Sequence, residues 1–175
     1  MVAREASLLL LLAAPLTLAA QELTTVPRVD LDRYAGLWHE IARIPNRFQR
    51  RCTARTTAEY SLLPDGRIRV VNRCCTAGGE EISATGVARV VDAQSNSKLE
   101  VSFVRFLGRN WFYGDYWIIG LDPDYRWAIV GAPGRRYGWI LARDRTLSAA
   151  DRAQCDQILR QRGYDPGDFV DSPQQ

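Results

Sequence analysis

The sequence predicts an all-β protein: an eight-stranded antiparallel up-and-down β-barrel with one C-terminal α-helix packed outside. Three observations lead there. Eight short stretches with strand-like patterning follow one another, with turn residues between them. Only one helical pattern appears, and it comes last. Gly36-Leu37-Trp38 lies on the first strand and Arg143 ends the last one. A guanidinium lying flat on an indole face would plug one end of a closed sheet.

Trp38 to Ile44 opens the strand series, after a polar lead-in from Glu22 to Asp32. Pro45-Asn46 begins an arginine-rich loop. Thr56 to Leu63 alternates and ends at Pro64-Asp65-Gly66, a hairpin turn. Arg67 to Cys74 answers it, with Ile68, Val70 and Asn72 on one face and Arg67, Arg69 and Arg73 on the other. Gly78-Gly79 turns again, and Ala84, Gly86 and Ala88 share a face of the next strand. Leu99, Val101 and Phe103 alternate with Glu100 and Ser102, the pattern of a strand with one wet face. Tyr116 to Leu121, Trp127 to Gly131 and Tyr137 to Arg143 complete the barrel, at about residues 34–143. The helix is expected at about 148–162. Ser148 and Asp151 start it, Cys155, Ile158 and Leu159 form its apolar stripe, and Gly163 stops it. An eight-stranded barrel of this kind has room for one small ligand.

The 175 residues suit a single domain, expected over 21–175. Residues 1–20 read as a signal peptide: Arg4, an apolar run from Leu8 to Ala20, and small residues at Ala19 and Ala20. Gln21 stands where a lipid-anchored bacterial protein would carry cysteine. The expectation is therefore an exported, soluble protein, periplasmic or secreted. The net charge of +3 is weakly basic. Arg47, Arg50, Arg51 and Arg55 form the densest cluster, read as solvated loop residues, with peripheral contact to membrane lipid as an option. No nucleic-acid partner is expected. Trp111, Phe112 and Tyr113 make an aromatic loop tip, either a rim that touches membrane or an ordinary packed loop.

Export permits disulfides, and Cys52, Cys74, Cys75 and Cys155 allow three full pairings. Cys74 shares the inward face of Asn72, and counting back from Tyr60 gives Cys52 the same phase. Cys52–Cys74 is the expected bridge, although a simple two-residue register at Asp65-Gly66 does not set them opposite. The preceding loop must fold back, or a bulge must intervene. Cys75 should face outward, and Cys155 should be a buried thiol. With one histidine, His39, and no CxxC, no metal site is expected.

These motifs resemble the lipocalin family, most nearly its bacterial outer-membrane and apolipoprotein D-like branch. The resemblance rests on Val29 to Trp38, Glu40 to Pro45, Ala58 to Leu62, Val70-Val71-Asn72, Lys98 to Phe103, Asp115 to Ile119, Asp122 to Tyr125 and Trp139 to Arg143. It runs from about Val29 to Tyr164. It implies a cup for a small hydrophobic ligand, with Gly36, Trp38 and Arg143 as floor. Pocket positions of that branch match Tyr60, Asn72, Phe103, Tyr116, Trp139 and Leu141 here. Alternation points the same way: Arg143 must face inward to reach Trp38, so Leu141, Trp139 and Tyr137 do too.

The expected function is lipid binding and transport, with a fatty acid, a lysophospholipid or a similar molecule in the barrel, in membrane lipid maintenance or storage. Tyr60, Asn72 and Tyr116 can donate hydrogen bonds to a head group. No catalytic residues and no cofactor are expected, and the protein would be a monomer or homodimer. The alternatives are a lipocalin-type isomerase using Cys74 as a pocket thiol, and a haem or tetrapyrrole binder. The second is weakened because His39 points outward.

Overall fold

The computed structural model describes residues 22–106 and 109–175, so the expected signal peptide lies outside the described residues. Eight strands form the barrel wall: β1 (Gly36–Arg43), β2 (Ala54–Leu62), β3 (Ile68–Cys75), β4 (Glu81–Val90), β5 (Lys98–Ser102), β8 (Gly114–Leu121), β9 (Trp127–Gly131) and β10 (Gly138–Ala142). Between β5 and β8 lies a short antiparallel hairpin of β6 (Val104–Phe106) and β7 (Arg109–Trp111). Each wall strand pairs antiparallel with the next, and β10 returns to pair with β1, which closes the barrel. The eight expected wall strands are therefore present, with no end shifted by more than about two residues.

Three elements differ from the sequence reading. The lead-in contains α1 (Leu31–Tyr34), capped by the Asp30 carboxylate, which accepts from the Asp32 and Arg33 amides. A one-turn helix is too short to display a period, which is why none was expected. The β6–β7 hairpin was not expected either. Finally, β11 (Val170–Asp171) pairs with Ala42 and Arg43 of β1. There β1 has left β2, since their pairing covers only Gly36–His39 and Thr57–Tyr60. The C-terminal tail fills the gap. Pro173 accepts from the Arg55 amide, and the Gln174 amide donates to the carbonyls of Glu40 and Thr56. Carbonyls freed by the divergence of two strands thus regain donors.

The predicted helix is α2 (Ala149–Gln161), with the Ser148 hydroxyl accepting from the Asp151 amide. It buries Cys155 and Leu159 against Ile119, Trp127, Ile129 and Ile140 on the outer face of the barrel. The inner layer is separate and includes Trp38, Val70, Leu99, Ile118, Val130 and Leu141. Period-two alternation sends neighbours such as Ile118 and Ile119 into different layers.

At the closed end the guanidinium of Arg143 lies 3.8 Å from the centre of the Trp38 ring. It also donates to the carbonyls of Leu37 (2.8 Å), Arg33 (2.6 Å) and Ala35 (3.0 Å). The last two belong to the end of α1, where helical carbonyls lack partners. Gly36 sits beneath at φ +95, a conformation suited to glycine, and a Cβ there would stand 3.4 Å from Arg143 Nη1. Arg143 is thus held by main-chain acceptors as well as by the Trp38 ring.

Cys52 and Cys74 are joined, with Cα atoms 5.5 Å apart. Both of the devices that the sequence reading offers as alternatives are present. The β2–β3 register shifts between Ala54 and Thr57, with Arg55 at φ +50. The loop folds back through a hydrogen bond from the Cys52 amide to the Gln49 carbonyl. Cys75 is a free thiol on the other side of the strand, but it is buried. Arg55 covers it, donating from Nε and Nη2 to the sulfur at 3.2 and 3.0 Å. Arg55 is exposed, as the sequence reading expects, but it lies on β2 rather than in the loop and is tied to this sulfur.

Two expectations follow. Arg143→Ala should lower the unfolding free energy by about 2–3 kcal/mol, through stranded carbonyls and an uncovered indole. Arg143→Lys should lose about half as much; a denaturant midpoint unchanged in Arg143→Ala would show that the floor is dispensable. Reduction should cost about 3 kcal/mol for a bridge across 22 residues. In the oxidised, denatured protein, a thiol reagent should label Cys75 and Cys155 and spare Cys52 and Cys74.

Candidate ligand-binding site

The base of the interior is lined mainly by apolar and aromatic side chains. At the base, Leu31, Leu62, Ile68, Val70, Leu99 and Val101 meet the rings of Tyr34, Tyr60 and Tyr116 around a small cavity. Its free space is about 10 Å³, about what one water molecule needs. A larger ligand must therefore move side chains aside.

The three tyrosines form a ladder. Tyr116 Oη lies 2.8 Å from Tyr34 Oη and 2.8 Å from Tyr60 Oη. Three hydroxyls have three protons, and two mutual bonds use only two. Whichever way the bonds run, one O–H has no acceptor among the described side chains. Burial holds all three phenols above the usual tyrosine range, so each stays neutral.

Above the base, Leu141 is buried within the inner layer and Trp139 packs against it. The indole N–H of Trp139 donates to Gln49 Oε1 at 3.0 Å, and its ring stacks on Tyr137. Asn72 is half-buried on the inner face, paired with Ala58 one inward step from Tyr60. Phe103 follows the end of β5 and is 41% exposed. It lies over Gly86, where a Cβ would stand 2.7 Å from its ring. Tyr60, Tyr116, Leu141 and Trp139 thus converge, Asn72 borders them, and Phe103 sits at the lip rather than on a regular strand.

Sequence reasoning missed a polar cluster at the mouth. Glu40 is 3% exposed. Its carboxylate accepts from Arg43 at 2.7 Å, from the Ser172 hydroxyl at 2.6 Å and from the Gln49 amide at 2.6 Å. Arg43 also donates to the Cys52 carbonyl. Gln49 therefore ties the loop before β2 to both Glu40 and Trp139. The signal was available, since Glu40 has the inward parity of Trp38.

Other candidates fall away from the interior chemistry. Cys74, the thiol of the isomerase alternative, is spent in the disulfide. His39 pairs with Ala142, on the helix-facing side of the wall, and not with the cavity lining. Burial pushes the Cys155 thiol up to about 12, which makes it a poor nucleophile. Among the described residues no cluster suits a metal ion, and no helix is long and apolar enough to cross a membrane.

A lipocalin-like domain family matches residues 29–174. The chain belongs to the lipocalin family. It is 36% identical to temperature-induced lipocalin-1 of Arabidopsis thaliana, over 88% of this chain and 84% of that one. It is also 36% identical to the outer membrane lipoprotein Blc of Escherichia coli, over 84% and 80%. Identity to apolipoprotein D of Macaca fascicularis is 34%, over 78% and 72%. Among solved structures, insecticyanin from the tobacco hornworm Manduca sexta superposes with a TM-score of 0.72 at 21% identity, covering 90% and 87%. That likeness speaks for the lipocalin fold.

The phenols supply a pH test. A neutral tyrosine is favoured in the folded chain. Below about pH 9 neither state loses phenolic protons, and stability is independent of them. Above pH 10 the unfolded chain releases protons that the folded chain keeps, so the unfolding free energy should fall as pH rises. In an absorbance titration, Tyr34, Tyr60, Tyr116 and Tyr164, all raised mainly by burial, should ionise beyond pH 10 or only on unfolding. All seven tyrosines ionising together near pH 10 in the folded protein would contradict the buried ladder.

Proposed function

We propose that this lipocalin binds a fatty acid, a lysophospholipid or a similar small hydrophobic molecule inside its barrel. It carries or stores that molecule after export, in the periplasm or outside the cell, in membrane lipid maintenance. The observation behind the reading is an apolar barrel interior with one unspent phenolic O–H at its base. An apolar enclosure with a single free donor suits a ligand that is mostly hydrocarbon and has an oxygen to offer.

In this reading the ligand oxygen accepts from the tyrosine ladder and from the Asn72 amide. The acyl chain runs along Leu141 and Trp139 towards Phe103 at the lip. Gln49 gives way to admit it, since its bond to Trp139 spans the entrance. Burying a sixteen-carbon chain at ~0.8 kcal/mol per methylene yields on the order of 10 kcal/mol gross. Ordering costs, and the displacement of side chains around so small a cavity, reduce this to an affinity near micromolar. No catalytic step is needed. The sequence similarity to the outer membrane lipoprotein Blc and to apolipoprotein D agrees with a lipid-handling role.

Native mass spectrometry of the full exported chain, followed by lipid extraction, tests the proposal. A bound acyl lipid is the expected result. Absence of bound lipid, together with no tryptophan quenching by any acyl ligand, would sink it. Trp139→Ala should weaken palmitate binding about tenfold while the near-ultraviolet dichroism of the barrel persists. Unchanged affinity would remove Trp139 from the site.

A further inference from the structure

The open end of the barrel combines two features that lie far apart in the sequence. Four connections gather there: residues 44–53, 76–80, 103–113 and 132–137. By sequence they hold seven arginines against a single acidic residue, Glu80. At the other end, the connections 63–67, 91–97, 122–126 and 143–147 hold four arginines against five carboxylates. The excess positive charge of the chain is thus concentrated on one face.

The same end carries most of the exposed large apolar side chains. Phe112 is 83% exposed, Phe48 67%, Trp111 48%, Val104 46% and Phe103 41%. These residues come from the β1–β2 and β5–β8 connections, which face each other across the mouth. Phe112 stands at φ +58, a backbone conformation that costs a non-glycine residue energy and turns its ring outward. The hairpin behind it is pinned at its base, where the buried Ser102 hydroxyl donates to the Trp111 carbonyl. Arg47, Arg50 and Arg51 are exposed beside Phe48, with the Arg47 guanidinium 5.0 Å from its ring centre.

We propose that this end docks, mouth first, onto the surface of an anionic phospholipid bilayer. Arginines would meet the head groups while Phe112, Trp111 and Phe48 enter the interfacial region. Charge argues against a second copy of the chain as occupant, because two such faces would set like charge against like. A nucleic acid would match the charge, and aromatic rings can stack on bases. However, Val104 and the phenyl rings flank the entrance on two facing sides, a placement suited to hydrocarbon. The proposal rests on the rim alone and stands whether or not the ligand reading holds.

Sedimentation with vesicles tests it, using the full exported chain. Vesicles of equal phosphatidylcholine and phosphatidylglycerol should pull the protein down at physiological salt, and pure phosphatidylcholine should do so far less. Phe112→Asp should weaken this binding at least tenfold. Replacing Arg47, Arg50 and Arg51 together by glutamine should weaken it about a hundredfold, at roughly fivefold per arginine. Val91→Asp alters an exposed residue at the opposite end and should change nothing. Near-ultraviolet dichroism and a denaturant midpoint unchanged in all three variants would show that the fold is intact. The proposal is overturned if anionic vesicles fail to bind the protein, if Val91→Asp weakens binding as much as Phe112→Asp, or if the rim variants instead abolish self-association or RNA binding.

Discussion

The closure of the barrel depends on Arg143. Five donors on one rigid plane let a single side chain stack on Trp38, take up the last carbonyls of α1 and reach the carbonyl of Leu37 on β1. Lysine could supply the charge but not this fan of bonds. Everything above the floor inherits its geometry. With Trp38 fixed inward, β1 has one possible phase, and β10 must match it. The parity of each wall strand then follows from its neighbour.

That parity separates two apolar layers built from adjacent residues. The inner layer forms the cup and the outer one seats α2. The inner layer is not uniformly apolar, however. Its polar groups occur in two bands, the tyrosine ladder near the base and the Glu40 cluster near the mouth. The bands differ in how fully they are satisfied. Glu40 has an accepted proton on each oxygen, from Arg43, Ser172 and Gln49. The ladder has one proton to spare. A satisfied network holds shape, and an unsatisfied one creates an affinity for whatever can complete it.

Much of this architecture was legible because period-two alternation survives in most wall strands. The parity of Asn72 and Cys74 foretold the disulfide, and the register conflict at Asp65-Gly66 foretold the irregularity at Arg55. Other features left no period to read. Four residues of α1 and two of β11 are too short, and β11 exists only because β1 and β2 diverge. The placing of Arg55 over Cys75, on the outer side of the wall, goes with a positive φ that composition does not reveal. Glu40 was readable by parity, yet a carboxylate inside a barrel becomes sensible only once Gln49 and Ser172 arrive from distant segments. The aromatic tip at Trp111–Tyr113 and the arginines at Arg47–Arg51 were each visible, but only the topology puts them at one end.

The C-terminal strand β11 also bears on the order in which the molecule can be made. One edge of β1 waits for β10, about a hundred residues later, and the upper part of its other edge waits for the tail. Contacts so distant in sequence impose a large loop-closure entropy before they return any stabilisation, and they slow folding. Until the tail arrives, the nascent sheet has an open edge able to pair with other chains. The chain therefore cannot complete its native wall before its last strand is available.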